Sequence, residues 1–251
     1  MINSSPNIVL PSNQSAPGLP AFTQVARGLV TGATSVNISG YQSAVGTTFI
    51  PLWENTTAYT YPASVTTMLL YSSSASDTAV SVLISGLDAS YNTISETLVC
   101  TGVTGVTTVN SYLRINGLTI TGSNNAVGDI ILANAGKTIF YSKITAGNGK
   151  SQACIYTVPN GYTFYLLRSN FYTNQIGTTS TAYATYRVYT SLNGIQQILL
   201  TAPFSNNYSA TRIVPRVYAG KTDIQWQFNT PTGTAAIGGT VEGLLIASTA
   251  S

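Results

Sequence analysis

Apolar and polar residues alternate with a period of two along most of the chain beyond residue 24, which predicts strands with one buried face. Val36 and Ile38 share one face, and Val80, Val82 and Ile84 share another. The segment Gly86-Leu87-Asp88-Ala89-Ser90-Tyr91-Asn92 reads as a turn, after which Ile94, Leu98 and Cys100 return on a single face interrupted by Glu96. Together these predict a β-hairpin with a longish loop. Leu113 and Ile115 alternate, then the phase shifts across Gly117 to Leu118 and Ile120, which predicts a β-bulge or a strand end. Residues 127–132 read as a buried strand, and 138–145 as another.

The second half alternates more cleanly. Tyr162, Phe164 and Leu166 follow the turn Pro159-Asn160-Gly161. Asn193-Gly194 joins the run 183–189 to 195–198, a strong hairpin signal because both turn positions favour positive φ. Ile224, Trp226 and Phe228 oppose Asp223, Gln225 and Gln227, which predicts a half-buried antiparallel strand. Thr, Ser, Val, Tyr and Gly dominate, and no helix of more than a turn or two is predicted.

This pattern gives an all-β fold: two antiparallel β-sandwich or jelly-roll-like domains behind an extended arm. Pro6, Pro11, Pro17 and Pro20 punctuate residues 1–24, the arm. The first domain is expected at 25–140 and the second at 150–251. The glycine- and asparagine-containing stretch 134–151 lies between them.

Composition changes the picture in one respect. Only 7% of residues are charged, while 44% are hydrophobic, against an ordinary charged share of about 25%. A hydrogen-bonding but nearly neutral surface lacks the repulsion that keeps free monomers apart, so partners are expected to cover much of it, copies of the chain among them. The net charge of +3 is uneven. Residues 1–136 hold two arginines against five carboxylates, whereas 137–251 hold eight Lys and Arg against two. No apolar run nears the roughly 18 residues of a membrane span. The start Met1-Ile2-Asn3-Ser4-Ser5-Pro6 lacks the layout of a secretory signal, so assembly in a cytoplasm is expected. Cys100 and Cys154 allow one disulfide or two buried thiols, and a cytoplasmic origin favours the thiols.

Chemistry is sparse. The chain has no histidine. That removes the usual Ser-His-Asp and Cys-His devices and the commonest general base. It also leaves two cysteines short of a zinc set. Asp88 and Glu96 flank the first hairpin and form the one carboxylate pair considered for glycoside hydrolysis, though charges beside a turn explain them as well. Gly233, Gly238 and Gly239 lie in a segment without a P-loop lysine and read as turns. No catalytic, cofactor or metal residue is expected. Arg212, Arg216, Tyr218 and Lys221 form a basic and aromatic strip, the candidate partner contact. It is too sparse for sequence-specific nucleic acid. The 16 tyrosines suit interfaces and sugar stacking as well as sheets.

Val82-Leu83-Ile84-Ser85-Gly86-Leu87-Asp88-Ala89-Ser90-Tyr91-Asn92-Thr93-Ile94-Ser95-Glu96-Thr97-Leu98 resembles a hairpin of β-sandwich modules in virion structural proteins of tailed phages, especially marine and cyanobacterial ones. The turn Val158-Pro159-Asn160-Gly161-Tyr162-Thr163 is similar too. The resemblance implies a non-enzymatic virion component. The expected role is a head decoration or cement protein bound to the major capsid protein or other virion proteins. The alternative is a tail, fibre or adhesin component that binds a host glycan.

Overall fold

A computed structural model describes residues 21–55, 57–174 and 183–248. In chain order, a short helix α1 (Ala21–Ala26) precedes β1 (Ala33–Val45), β2 (Ile50–Pro51), β3 (Leu69–Ser72), β4 (Ser81–Leu87) and β5 (Thr93–Val99). Next come β6 (Val106–Thr107), β7 (Arg114–Thr121), β8 (Ile130–Ala133), β9 (Phe140–Ile144) and β10 (Ile155–Thr157). The chain continues through β11 (Tyr162–Thr173), β12 (Ala184–Leu192), β13 (Ile195–Phe204), β14 (Asn207–Tyr218), β15 (Asp223–Asn229) and β16 (Ala235–Ala247).

The fold is all-β. The strands form four small antiparallel sheets, ordered β1-β16-β11-β14, β10-β15-β12-β13 with β2 beside β15, β6-β3-β8-β9, and β5-β4-β7. Strands of the first two sheets share one core, which includes Leu52, Phe164, Phe171, Tyr186, Trp226 and Phe228. Its aromatic rings lock by edge contacts, with Phe171 and Phe228 centred 4.7 Å apart. The other two sheets share a second core around Leu70, Val82, Ile84, Leu118, Ile130 and Leu132. Within the first group, β1 pairs with β16, β10 with β15, β11 with β14 and β12 with β13.

Several local expectations hold. The hairpin of β4 and β5 is formed, with Glu96 opposite Ile84. Asn116 is the extra residue of a bulge where β4 meets β7, next to Gly117. Asn193 and Gly194 close β12 onto β13 with φ of 51° and 79°, the left-handed pair that a two-residue hairpin requires. Cys100 and Cys154 are free buried thiols in different cores.

Other expectations are corrected. Residues 1–20 of the arm lie outside the described residues, while 21–24 belong to α1. Phe22 and Val25, one helical turn apart, pack on Leu244 and Leu167, so burial of an apolar stripe makes this segment helical. The strand β1, expected in a domain at 25–140, pairs with the last strand of the chain. Residues between β2 and β10 supply the second core instead. The predicted strand at 127–132 begins only at Ile130, and Val127 is 69% exposed. Gly238 and Gly239 lie within β16, and only Gly233 sits in a turn. A side chain at Gly239 would collide with Phe171.

The strand β15 is buried on both faces. Asp223, Gln225 and Gln227 are 6, 6 and 8% exposed. The cover comes from far along the chain. Arg114 makes a two-pronged ion pair with Asp223, Nε to Oδ1 at 2.8 Å and Nη2 to Oδ2 at 2.9 Å. Its Nη1 donates to the Leu113 carbonyl, and its guanidinium lies 4.6 Å from the Tyr61 ring centre. Thr157 donates to Asp223 at 2.6 Å. Asn116 exchanges two hydrogen bonds with the Thr157 backbone. Glu54 accepts from Asn148 and from the Gln152 backbone. These contacts fasten the two core groups together.

Candidate interaction surface

Among the described residues, β13 and β14 each end one of the first two sheets, opposite the ends formed by β10 and β1, and only residues 205–206 separate them. They form a rim where two unpaired backbones run side by side, bridged where Arg216 Nη1 donates to the Leu199 carbonyl at 3.4 Å. The first half of β13 is exposed at every position, on both faces. Ile195 is 66% exposed and Ile198 54%. Exposed strand edges are normally blunted by charge, proline, bulges or cover. Here the 195–200 stretch carries neither charge nor proline, and a single bulge at Leu199 is its one irregularity.

The strand β14 departs from regular pairing. Thr211 faces Arg168 and Arg216 faces Leu166, so Arg212–Pro215 oppose Leu167 alone. This four-residue bulge turns Ile213 and Val214 outward, each 81% exposed. Beside them lies an apolar groove of about 580 Å³ on the outer face of the first sheet. Val36, Leu167 and Leu244 line it, α1 contributes Phe22, and Arg168, Arg212 and Glu242 bring charge.

The bulge also explains where the predicted contact residues fall. Arg212 and Arg216 are half-buried. Arg212 donates to Ser169 Oγ at 3.3 Å. Both arginines counter the burial that pushes the Tyr218 hydroxyl above its ordinary pKa. Tyr218 itself is 3% exposed and stacks on Phe164, so it offers no surface. Lys221 is exposed in a separate turn, with φ of 68°. The structure therefore does not assemble these four residues into one strip. The exposed edge of β13 and the knob on β14 were missed in the sequence. Their signals were the run Ile198-Leu199-Leu200 and the adjacent pair Ile213-Val214, both of which break the alternation.

The hairpin carboxylates are occupied by local structure. Asp88 accepts from the Ser90 and Asn92 backbones. Glu96 accepts from the Val109 and Asn110 backbones and from the Tyr112 hydroxyl. Burial pushes the Asp77 carboxyl up, but bonds from Ser72, Val127 and Gly128 outweigh it and hold it below the usual range. Burial raises the Cys100 thiol to about 11, helped by the Asp77 charge. Burial also raises Cys154. Among the described residues, no three of His, Cys, Asp and Glu gather in a metal-binding arrangement. No helix there is long and apolar enough to cross a membrane. Comparison with protein-family models and with curated protein sequences finds no match.

Proposed function

We propose that this protein is a non-enzymatic structural component of a virus particle, a decoration or cement protein on the head of a tailed phage. The exposed apolar rim of β13 and β14 carries the reading. A free monomer gains nothing from an uncharged, two-faced edge and an apolar knob, whereas an assembly subunit buries both. The strand pairing supports it. With the two-residue β2 set aside, the first two sheets hold eight strands, of which the first pairs with the last, the second with the seventh, the third with the sixth and the fourth with the fifth. We read that order as a jelly roll, a form shared by viral coat and lectin domains. We read the second core group as a sandwich inserted after the first jelly-roll strand. Fold analogy alone does not assign function, and the phage-like hairpin at 82–98 supplies the particle context.

Attachment then works by repetition. Modest apolar and polar contacts, multiplied by the symmetry of a shell, give avidity that one contact lacks. The partner is the major capsid protein, and the mature location is the virion, after assembly in the host cytoplasm. The test is electron microscopy of intact particles bearing a labelled copy of the chain. Label spread over the icosahedral shell supports the reading. Label confined to the tail overturns it in favour of a host-binding fibre or adhesin, which a glycan array on the purified protein would then examine. Unlabelled particles remove both.

A further inference from the structure

We infer that two copies of this chain pair about a two-fold axis, the Ile213-Val214 knob of each seated in the groove of the other. Knob and groove lie side by side on one face, Ile213 forming the groove's rim. A two-fold axis through that face presents each knob to the opposite groove, which is the self-complementarity that a closed dimer requires. A groove of about 580 Å³ holds several aliphatic side chains. The bulge and Pro215 bar regular strand addition along β14, so side chains make the contact.

Charge favours a second copy over another occupant. Arg168 and Glu242 are cross-strand neighbours in the groove. They form no ion pair with each other; the described ion pairs are Arg114 with Asp223 and Lys143 with Asp129. The other six carboxylates of the chain all accept hydrogen bonds within it. Glu242 accepts none among the described residues. A partner matching this groove must therefore offer an apolar knob with both a cation and an anion near it. The chain's own face offers all three, and the two-fold sets Glu242 of one copy against Arg168 or Arg212 of the other. The inference rests on this face alone and not on the virion reading. The edge of β13, in the other sheet, stays free for a particle.

Sedimentation velocity on the purified full chain, from 0.1 to 100 µM, tests it. The expected result is a concentration-dependent species of twice 26.3 kDa. Val214→Asp should raise the dissociation constant at least about a hundredfold with an unchanged melting temperature, since this side chain is exposed. Glu242→Arg and Arg168→Glu should each weaken pairing, and the double variant should restore it. If Val214→Asp fails to fold, a mixture of the single variants Val214→Cys and Ser35→Cys should form a mixed intermolecular disulfide under mild oxidation, because Ser35 is an exposed residue of the groove and the native thiols are buried. A monomer at 100 µM overturns the proposal, as does a dimer indifferent to Val214→Asp. A monomer whose groove becomes accessible to an apolar dye only after residues 2–20 are deleted also overturns it, and assigns the groove to the chain's own N-terminal segment.

Discussion

Replacing Arg114 by methionine should test what holds the two core groups together. The Arg114 side chain is 12% exposed and that of Asp223 is 8%. Removing one partner of such a pair strands the other charge away from water, a loss of about 3–5 kcal/mol when burial is complete. Two features reduce it here. Asp223 keeps the hydrogen bond from Thr157 at 2.6 Å, and the remaining exposure lets water approach. About 2–3 kcal/mol is then expected from the pair. The guanidinium over Tyr61 adds about 0.5–1 kcal/mol. The sum, about 2.5–4 kcal/mol, corresponds to a fall in melting temperature of about 5–16 °C for a chain of this size.

The assay is thermal and urea unfolding of four proteins: the native chain, Arg114→Met, Asp223→Leu and the double variant. Each single change should destabilise strongly, because it leaves one buried charge. The double change should recover most of the loss, since two apolar residues leave no charge to solvate. A coupling energy of at least about 2 kcal/mol is expected from the cycle. A coupling below about 0.5 kcal/mol, with single losses under about 1 kcal/mol, would refute the assignment of the seam to this pair.

Ellman's reagent at pH 8 should find both thiols protected in the native chain and titrate two per chain in denaturant, because burial raises both; a fast native phase or fewer than two thiols would contradict this. Asp77 and Asp129 have carboxyls held below the ordinary value. Their stabilisation is fully present above the unfolded value, about 3.9, and is lost as pH falls through the lower folded values. The melting temperature should therefore stay level from about pH 5 to 8, where no histidine titrates, and drop below about pH 4. Asp77→Asn should flatten that drop, and an unchanged acid limb would count against the role of Asp77. Gly239→Ala should cost about 1–3 kcal/mol by overpacking against Phe171, read from urea midpoints.

What the sequence made legible was local. The hairpin around Asp88, the Asn193-Gly194 turn and the Asn116 bulge are each encoded within a few residues of where they form. Partners were not legible, because alternation names the face of a strand and says nothing of its neighbour. Val36 and Ile38 predict a strand, yet the register that sets Val36 opposite Gly243 depends on residues about two hundred positions away. Asp223, Gln225 and Gln227 looked solvent-facing because Arg114, which covers the first of them, comes from the other core group. The candidate strip failed for another reason. Alternation places Arg212, Val214 and Arg216 on one face only in a regular strand, and four residues opposite one do not keep that phase.

The same residues that hide the carboxylates shape what the surface can attract. Six of seven are tied to donors inside the chain, whereas Arg27, Lys150, Arg168 and Lys221 stand exposed. The formal charge of +3 therefore reaches solvent as scattered cations with few counter-charges beside them. At physiological salt such charges act over about 8 Å, so they bias approach toward an acidic neighbour without repelling another copy strongly. Specificity must then come from shape. The rim supplies it, with apolar side chains standing out from two sheet edges and an apolar groove beside them. A chain with so little charge cannot rely on long-range steering to find its place. Attachment that depends on apolar burial at a repeated contact should tolerate salt, and that behaviour sets a cement protein apart from one held by charge.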